Sequence, residues 1–513
     1  MSIQEPRLDA DDIQGHILTG FGRAYELLLG IKVTPEGLDA AKTALRTIAL
    51  DVTPVRSSSS AKTQRRIAAL AGKVPVATTA SNVAMALSGS GLSKLGADPG
   101  KVLDPIFHMG AGGSASALGD EVDDKGKPQG WHFGDTPDRE PDVLVLIASA
   151  DEHQVLATAA RYLALLGNAV TVLVNDCGRR IARDAEHFGF VDGISQPGVR
   201  GMIDDETYLT PRAYSDADPQ SLLWSRPGQR LTWPGQFVFG YPGLNPDDMQ
   251  HAGDIVGGDP FLRNGSLLVV RRLSQDVGLF WKTMADLARQ FSTATGVTWS
   301  TEKAAARCVG RWKDGTPVSL SPDREDPTIS SDFYKRNGFK FVSPIAPTTL
   351  ADADGNHAFP GATPDPLGKS CPFFGHIRKV NPRDQSHDFG GVGSTLSSQM
   401  LRRGVPFGPD WTGVEDGADR GLMFMSYQTS IQHGFYRLMT EWVKDPLRPI
   451  PGGIDPVIGP SPPGGRNLAA LIGAELKSLN LVGQFVRATG AGYFFAPGIK
   501  TLNSLFAPSP AIA

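Results

Sequence analysis

The sequence predicts a mixed helix-and-strand fold divided over two domains, and three observations predict it. A chain of 513 residues is too long to close around one small hydrophobic core. Its composition, 40% hydrophobic and 20% charged, suits a packed interior under a solvated surface. Runs with strand character alternate with runs of helical periodicity through its first third. Gly (59) and Pro (39) are abundant, so ordered loops are expected to carry much of the surface.

In chain order, residues 25–33 read as a strand, and 35–50 as a helix with apolar residues at helical spacing. Residues 56–66 are Ser-rich and basic and read as a surface loop, while 90–96 form a short helix stopped by glycine. Gly110–Gly119 contains Gly-Ala-Gly-Gly, but no strand precedes it and no βαβ unit follows, which argues against a dinucleotide loop. Residues 142–149, 151–166 and 169–174 make a strand-helix-strand unit. Residues 211–234 turn to Pro, Asp and Ser and mark the crossing between domains, placed at 1–230 and 231–513. Strands are predicted at 236–241 and 266–271, and an amphipathic helix at 275–291. The polar, Pro/Gly-rich stretch 313–375 is either functional or disordered. Short strands follow at 400–402 and 422–427. Ile431, Phe435, Leu438, Met439 and Trp442 mark one face of a helix from Ser430. Residues 450–465 read as a linker, after which apolar material at 467–481 and 484–495 returns to the body.

Several classes are excluded. A net charge of −4 leaves no electrostatic footprint for nucleic acid or an anionic membrane. The longest apolar runs, such as 143–148, are far too short to span a bilayer. The first residues, Met-Ser-Ile-Gln-Glu-Pro-Arg, lack the basic and apolar regions of a leader. Three scattered cysteines, Cys177, Cys308 and Cys371, predict no disulfide framework and a reducing, cytoplasmic location.

The chemistry concentrates at residues 187–199, His-Phe-Gly-Phe-Val-Asp-Gly-Ile-Ser-Gln-Pro-Gly-Val. One carboxylate, Asp192, stands between Gly189 and Gly193 in an otherwise apolar run. The glycines permit positive φ or close approach to a flat ligand. Phe188, Phe190, Val191 and Ile194 are expected to hold Asp192 in a dry setting, where its proton affinity is open to tuning. On residues alone, an Asp-Gly turn after a strand remains open.

Together with His376-Ile-Arg-Lys-Val-Asn-Pro-Arg383 and Met-Leu-Arg-Arg-Gly-Val-Pro-Phe-Gly at 400–408, this sequence resembles the dye-decolorising peroxidases, in their longer-chain form. Gly189–Gly193 fits the family's Gly-x-x-Asp-Gly motif. The opening Asp-Ile-Gln-Gly-His-Ile-Leu at 12–18, Asn-Gly-Ser-Leu-Leu-Val-Val-Arg-Arg at 264–272 and Gly-Ala-Gly-Tyr-Phe-Phe-Ala-Pro at 490–497 extend the likeness nearly end to end. The resemblance implies an α+β fold of two ferredoxin-like domains in the dimeric α+β barrel superfamily. Antiparallel sheets would carry peripheral helices, and haem would be held mainly by the second domain.

The resemblance further implies a non-covalent haem b. The enzyme would use hydrogen peroxide to oxidise dyes, phenolics and other small aromatic reductants through a ferryl intermediate. His376 is then the iron ligand, Asp192 the acid and base that moves the peroxide proton, and Arg402 the cation that stabilises the breaking O–O bond. On a strand only one of Arg402 and Arg403 faces the pocket, and the family register favours Arg402. Gly193, Ile194, Ser195 and Gln196 are expected along the haem edge. Leu422 and Phe424 should line the distal side, and Arg383 or Arg378 should hold a propionate. Trp442, Tyr436 and Tyr427 are candidates for surface oxidation, although helical spacing favours a core place for Trp442. Phe407 stands where some members carry Tyr, which puts a radical route there in doubt. No nucleic acid or membrane partner is expected, and the chain is expected as a monomer or small homo-oligomer. A haem carrier without enzymatic activity, having the same pocket, is the alternative; it would not need Asp192 and Arg402 together.

Overall fold

The computed structural model describes residues 3–70, 80–215, 217–352, 355–387 and 390–507. Eight antiparallel strands close on themselves: β1 (Tyr25–Val33), β2 (Asn82–Leu87), β3 (Val143–Ser149), β4 (Val170–Arg179), β5 (Ser266–Gln275), β6 (Val405–Phe407), β7 (Gly421–Gln428) and β8 (Val486–Ala496). The first four run in the order β2-β3-β1-β4 and the second four in the order β8-β5-β7-β6. Each is the ferredoxin-like order, so the fold is α+β with two such units in one barrel. The units meet through single pairs at two seams, Phe407 with Gly178 and Phe495 with Leu87. A Cβ on Gly178 would meet Val405 Cγ1 at 2.7 Å and the Pro406 carbonyl at 2.8 Å, so glycine lets the first seam close.

Alternation along the central strands β1 and β3 explains why they are apolar on both faces. Leu28 points into the barrel with Ala84, Leu146, Leu268, Met425 and Phe494. Its neighbours Leu27 and Leu29 point outward under Leu45, Ile48, Val155 and Tyr162 of helices Leu38–Ala49 and Glu152–Leu166. Each fully buried Leu or Phe contributes roughly 1.5–3 kcal/mol relative to exposure. Helix Val277–Thr295 covers the second unit, capped by the Asp276 carboxylate on the Leu279 amide.

Several elements differ from the expectation. Residues 56–66 lie within helix Val55–Leu70, not in a loop; Val55 is fully buried, and Ser58 packs where Gly15 leaves space. Residues 236–241 are no strand: Pro234–Gln236 is a 3-10 turn, and Gly240 has φ 85°. The Phe237 and Val238 side chains that resemble a strand there fill the core from a turn. Gly110–Gly119 belongs to the kinked helix Pro105–Leu118 and its cap, which removes the nucleotide-loop reading. The segment after Ser430 winds as π-helix, Gln432–Tyr436 and Leu438–Val443, a form common beside functional sites. Residues 450–465 pack into the body, with Asp455 fully buried. No helix among the described residues is long and apolar enough to cross a membrane.

Candidate active site

Asp192, His376 and Arg402, 184 and 26 positions apart in sequence, line one cavity of about 320 Å³. Gly193, Ile194, Ser195, Gln196, Arg383, Leu422 and Phe424 line it too.

The Asp192 loop is held from both sides. Asp192 N–H donates to the Asp184 carbonyl (3.0 Å), and Val191 N–H to the Lys313 carbonyl (3.2 Å). Asp192 Oδ1 accepts from Gly193 N–H at 2.6 Å, and Gly193 takes φ 74°, where a Cβ would be strained. Phe188 and Phe190 do not enclose Asp192, contrary to expectation. Phe188 stacks on Phe280 at 4.1 Å and Phe190 packs on Trp281 at 6.2 Å, anchoring the loop while the carboxylate stands exposed to the cavity. Half-buried Glu186, which the sequence reading passed over, accepts from the Phe188 and Phe190 amides and from Gln275 Nε2. Burial pushes its carboxyl up to about 7.

His376 opens the short helix His376–Val380. Its Nδ1 pairs with Asp455 Oδ2 at 2.8 Å, leaving Nε2 toward the cavity. Asp455 Oδ1 accepts from the Val457 and Ile458 amides, both at 2.9 Å. Burial pulls the imidazole down, but Asp455 outweighs it and holds His376 above the ordinary histidine value. Burial likewise pushes Asp455 up, and His376 with the two amides holds it below the ordinary carboxylate value. An imidazole oriented in this way presents a basic Nε2 to a ligand. Asp455 was missed in the sequence because it lies in the stretch read as linker; its one signal was a lone acid in Gly-Gly-Ile-Asp-Pro-Val-Ile.

Strand Leu401–Arg402 pairs with β7, and Gln196 clamps its end: Gln196 Oε1 accepts from Arg402 N–H, and Gln196 Nε2 donates to the Arg402 carbonyl, both at 3.1 Å. Arg402 Nη2 donates to the Ser195 carbonyl (2.9 Å), which fixes the guanidinium on the cavity wall. Arg403 turns away and donates to the His16, Ile17 and Leu18 carbonyls at 2.8–2.9 Å.

Two arginines make a second cationic part of the wall. Arg311, not singled out in the sequence, and Arg383 both donate to Ser195 Oγ at 3.2 Å. Neither makes an ion pair with a carboxylate among the described residues. Burial pulls both down to about 9, Arg311 further opposed by Arg383. Arg311 is buried and Arg383 half-buried, and each also donates to backbone carbonyls, which leave the two like charges uncompensated and favour an anion beside them. Arg378 does not belong to the wall. It is 1% exposed and donates to the Asp365 and Cys371 carbonyls and to Gln385, so it has no donor left for a cavity ligand.

Of the candidate surface aromatics, Tyr427 is corrected, while Trp442 takes the core place that its helical spacing favours. Trp442 and Tyr427 are each 1% exposed, Tyr427 with its hydroxyl on His16 Nδ1 at 2.9 Å. Tyr436 is half-buried. Phe407 is buried under the Arg272 guanidinium, 4.1 Å from its ring centroid.

Comparison with known proteins agrees with this architecture. Residues 12–180 match the family described as the DyP dimeric alpha+beta barrel domain. The chain is 30% identical over 97% of its length to dye-decolorizing peroxidase msp1 of Mycetinis scorodonius, covering 88% of that protein. The crystal structure of a fungal DyP-type peroxidase from Auricularia auricula-judae superposes with a TM-score of 0.72 at 25% identity, covering 98% of this chain and 99% of the other. A dye-decolorizing peroxidase whose heme pocket was engineered for asymmetric sulfoxidation superposes equally well, with a TM-score of 0.72 at 25% identity over 98% of this chain and 100% of the other. The barrel order and the full-length similarity together show that the chain belongs to the dye-decolorizing peroxidase family and is a peroxidase oxidoreductase.

Proposed function

We propose that the cavity binds haem b without covalent attachment, and that hydrogen peroxide and small aromatic reductants, dyes and phenolics among them, are the substrates. The observation that carries this reading is the meeting of His376, Asp192 and Arg402 on one cavity. The donor set suits the group. Among the described residues no three His, Cys, Asp or Glu side chains gather to hold a bare metal ion. A single half-buried imidazole facing the cavity, with a carboxylate behind it, suits iron that brings its own macrocycle. The Arg311 and Arg383 pair, without a carboxylate of its own, suits the propionates. The heme pocket of the structural relative points the same way.

On this reading residues 1–230 contribute the distal carboxylate, and residues 231–513 the ligand and the guanidinium. Haem, when bound, would supply the redox iron for peroxide reduction. His376 Nε2 would hold that iron, with Asp455 keeping Nδ1 protonated and the ring oriented. The Asp192 carboxylate takes the proton from one peroxide oxygen and returns it to the other, directly or through a water. The Arg402 guanidinium stabilises the negative charge that develops as the O–O bond lengthens. Gly193, Ile194, Ser195 and Gln196 line the cavity and would border the bound group, and Leu422 and Phe424 would keep water from it.

An absorption spectrum of purified protein, before and after peroxide, tests the proposal. A Soret band that shifts on addition of peroxide is expected, and His376→Ala should lose it. A parent protein that shows no Soret band even after reconstitution with hemin overturns the haem assignment.

A further inference from the structure

One wall of the cavity is the hairpin of strands Trp224–Arg226 and Gln229–Thr232. Trp224 lies opposite Arg230 in the antiparallel register, so their side chains share a face. The Arg230 guanidinium is 5.2 Å from the Trp224 ring centroid, and the Lys340 ammonium is 5.5 Å from it. All three residues line the cavity and are half-buried. Neither cation makes an ion pair with a carboxylate among the described residues; Arg230 Nη2 finds only the Met249 sulfur at 3.3 Å.

Charge in the cavity does not balance there. Its carboxylates are Glu186, Asp192 and Asp384. Asp384 is occupied by the amides of Phe341, Val342 and Ser343, and Glu186 by those of Phe188 and Phe190. With Arg311 and Arg383 assigned to the propionates and Arg402 to peroxide, Arg230 and Lys340 remain as two cations beside one indole. Two like charges held against a neutral ring favour an incoming anion, and an indole favours an incoming aromatic face. The indole packs against the apolar cluster of Ala213, Tyr214, Tyr334, Leu350 and Phe359, which fixes its position.

We propose that Trp224, Arg230 and Lys340 form a docking subsite for aromatic anions, aryl sulfonates or aryl carboxylates, with the aromatic ring against the indole and the acid group at the two cations. The subsite thus selects, among aromatic substrates, those that are anionic at neutral pH. It rests on the haem reading only in assigning Arg311 and Arg383 to the propionates.

The test is calorimetric binding of naphthalene-2-sulfonate against neutral 2-naphthol at pH 7, on the protein as purified. The parent is expected to bind the sulfonate about tenfold more tightly at low salt, with the advantage shrinking at high salt as screening sets in. Lys340→Gln and Arg230→Gln should each weaken sulfonate binding several-fold and leave 2-naphthol unchanged. Trp224→Leu should weaken both ligands, and Lys477→Gln, on a remote exposed hairpin, should alter neither. Equal affinity of the parent for the two ligands overturns the proposal. So does sulfonate binding that survives both charge substitutions, or a fall in Soret absorbance per protein in either of them, which would place these cations on the propionates. Absence of a Soret band in the parent sinks the haem reading alone, because the ligand comparison is read as heat.

Discussion

His376 Nδ1 stands 2.8 Å from Asp455 Oδ2, and neither oxygen of that fully buried carboxylate is left over: the other accepts two backbone amides. The carboxylate is thereby fixed before the imidazole arrives, and the imidazole has one orientation available. Asp455→Asn keeps the shape and removes the charge. Loss of such a partner typically lowers metal affinity or activity by about 10–100-fold. Hemin titration of apoprotein should therefore show weaker retention in the variant. Equal retention in parent and variant would show that the pair does not support the ligand.

The same pair sets a pH dependence in haem-free protein. His376 is raised above its ordinary value, so its contribution is complete below about 6.5 and is lost as pH rises through the raised value. Asp455 is lowered, so its contribution is complete above about 3.8 and is lost as pH falls through the lowered value. Both operate together between the two ordinary values. Urea unfolding should show the largest gap between parent and Asp455→Asn near pH 5, narrowing toward pH 9. A gap that stays constant over that span contradicts the assignment.

Asp192, His376 and Arg402 were singled out through the resemblance that their motifs carry, and the fold brings the three to one cavity. Asp455 was not legible, since it meets His376 across 79 residues and its own surroundings, rich in Pro and Gly, carry no periodicity. Arg311 was hidden for a related reason: its meaning comes from Arg383 and Ser195, which only the tertiary fold brings to it. Barrel strands β1, β3, β4, β5 and β7 were legible from apolar runs, whereas β2 and β6 were not read as strands and β8 was read only as apolar material returning to the body. Residues 236–241 show where that signal misleads, because an apolar run can fill a core from a turn when Pro234, Gly235 and Gly240 set the backbone. Residues 56–66 mislead in the opposite direction: serine suggests a loop, yet Val55 and Ser58 dock this helix against the first turn of helix at Gly15–Leu18.

On the proposed mechanism, Asp192→Asn and Arg402→Leu act on the peroxide step and leave His376 alone. Positioned proton transfer is typically worth about 10²–10⁴ in rate, and one preorganised charge contact about 10²–10³. Stopped-flow mixing with peroxide should show the Soret change slowed by these factors, with the resting spectrum kept. Either variant reacting at the parent rate would remove that residue from the step.

Glu186 offers a separate test of how the Asp192 loop is held. Burial raises its carboxyl to about 7 from an ordinary value near 4.5, so between those values the folded chain holds a proton that the unfolded chain has released. Stability of the parent must then fall as pH rises through that window, by an order of about 3 kcal/mol from this group alone. Glu186→Gln cannot titrate and still offers one oxygen to the Phe188 and Phe190 amides, although it gives up part of the pairing with Gln275. Its stability should be lower than the parent's at pH 5, where the parent carboxyl is already neutral and better paired. By pH 8 the parent has paid for ionising Glu186 and the difference should reverse or close. Urea midpoints measured for both proteins across pH 5–8 decide it: parallel curves would mean that Glu186 ionises in the folded protein as it does in the unfolded chain.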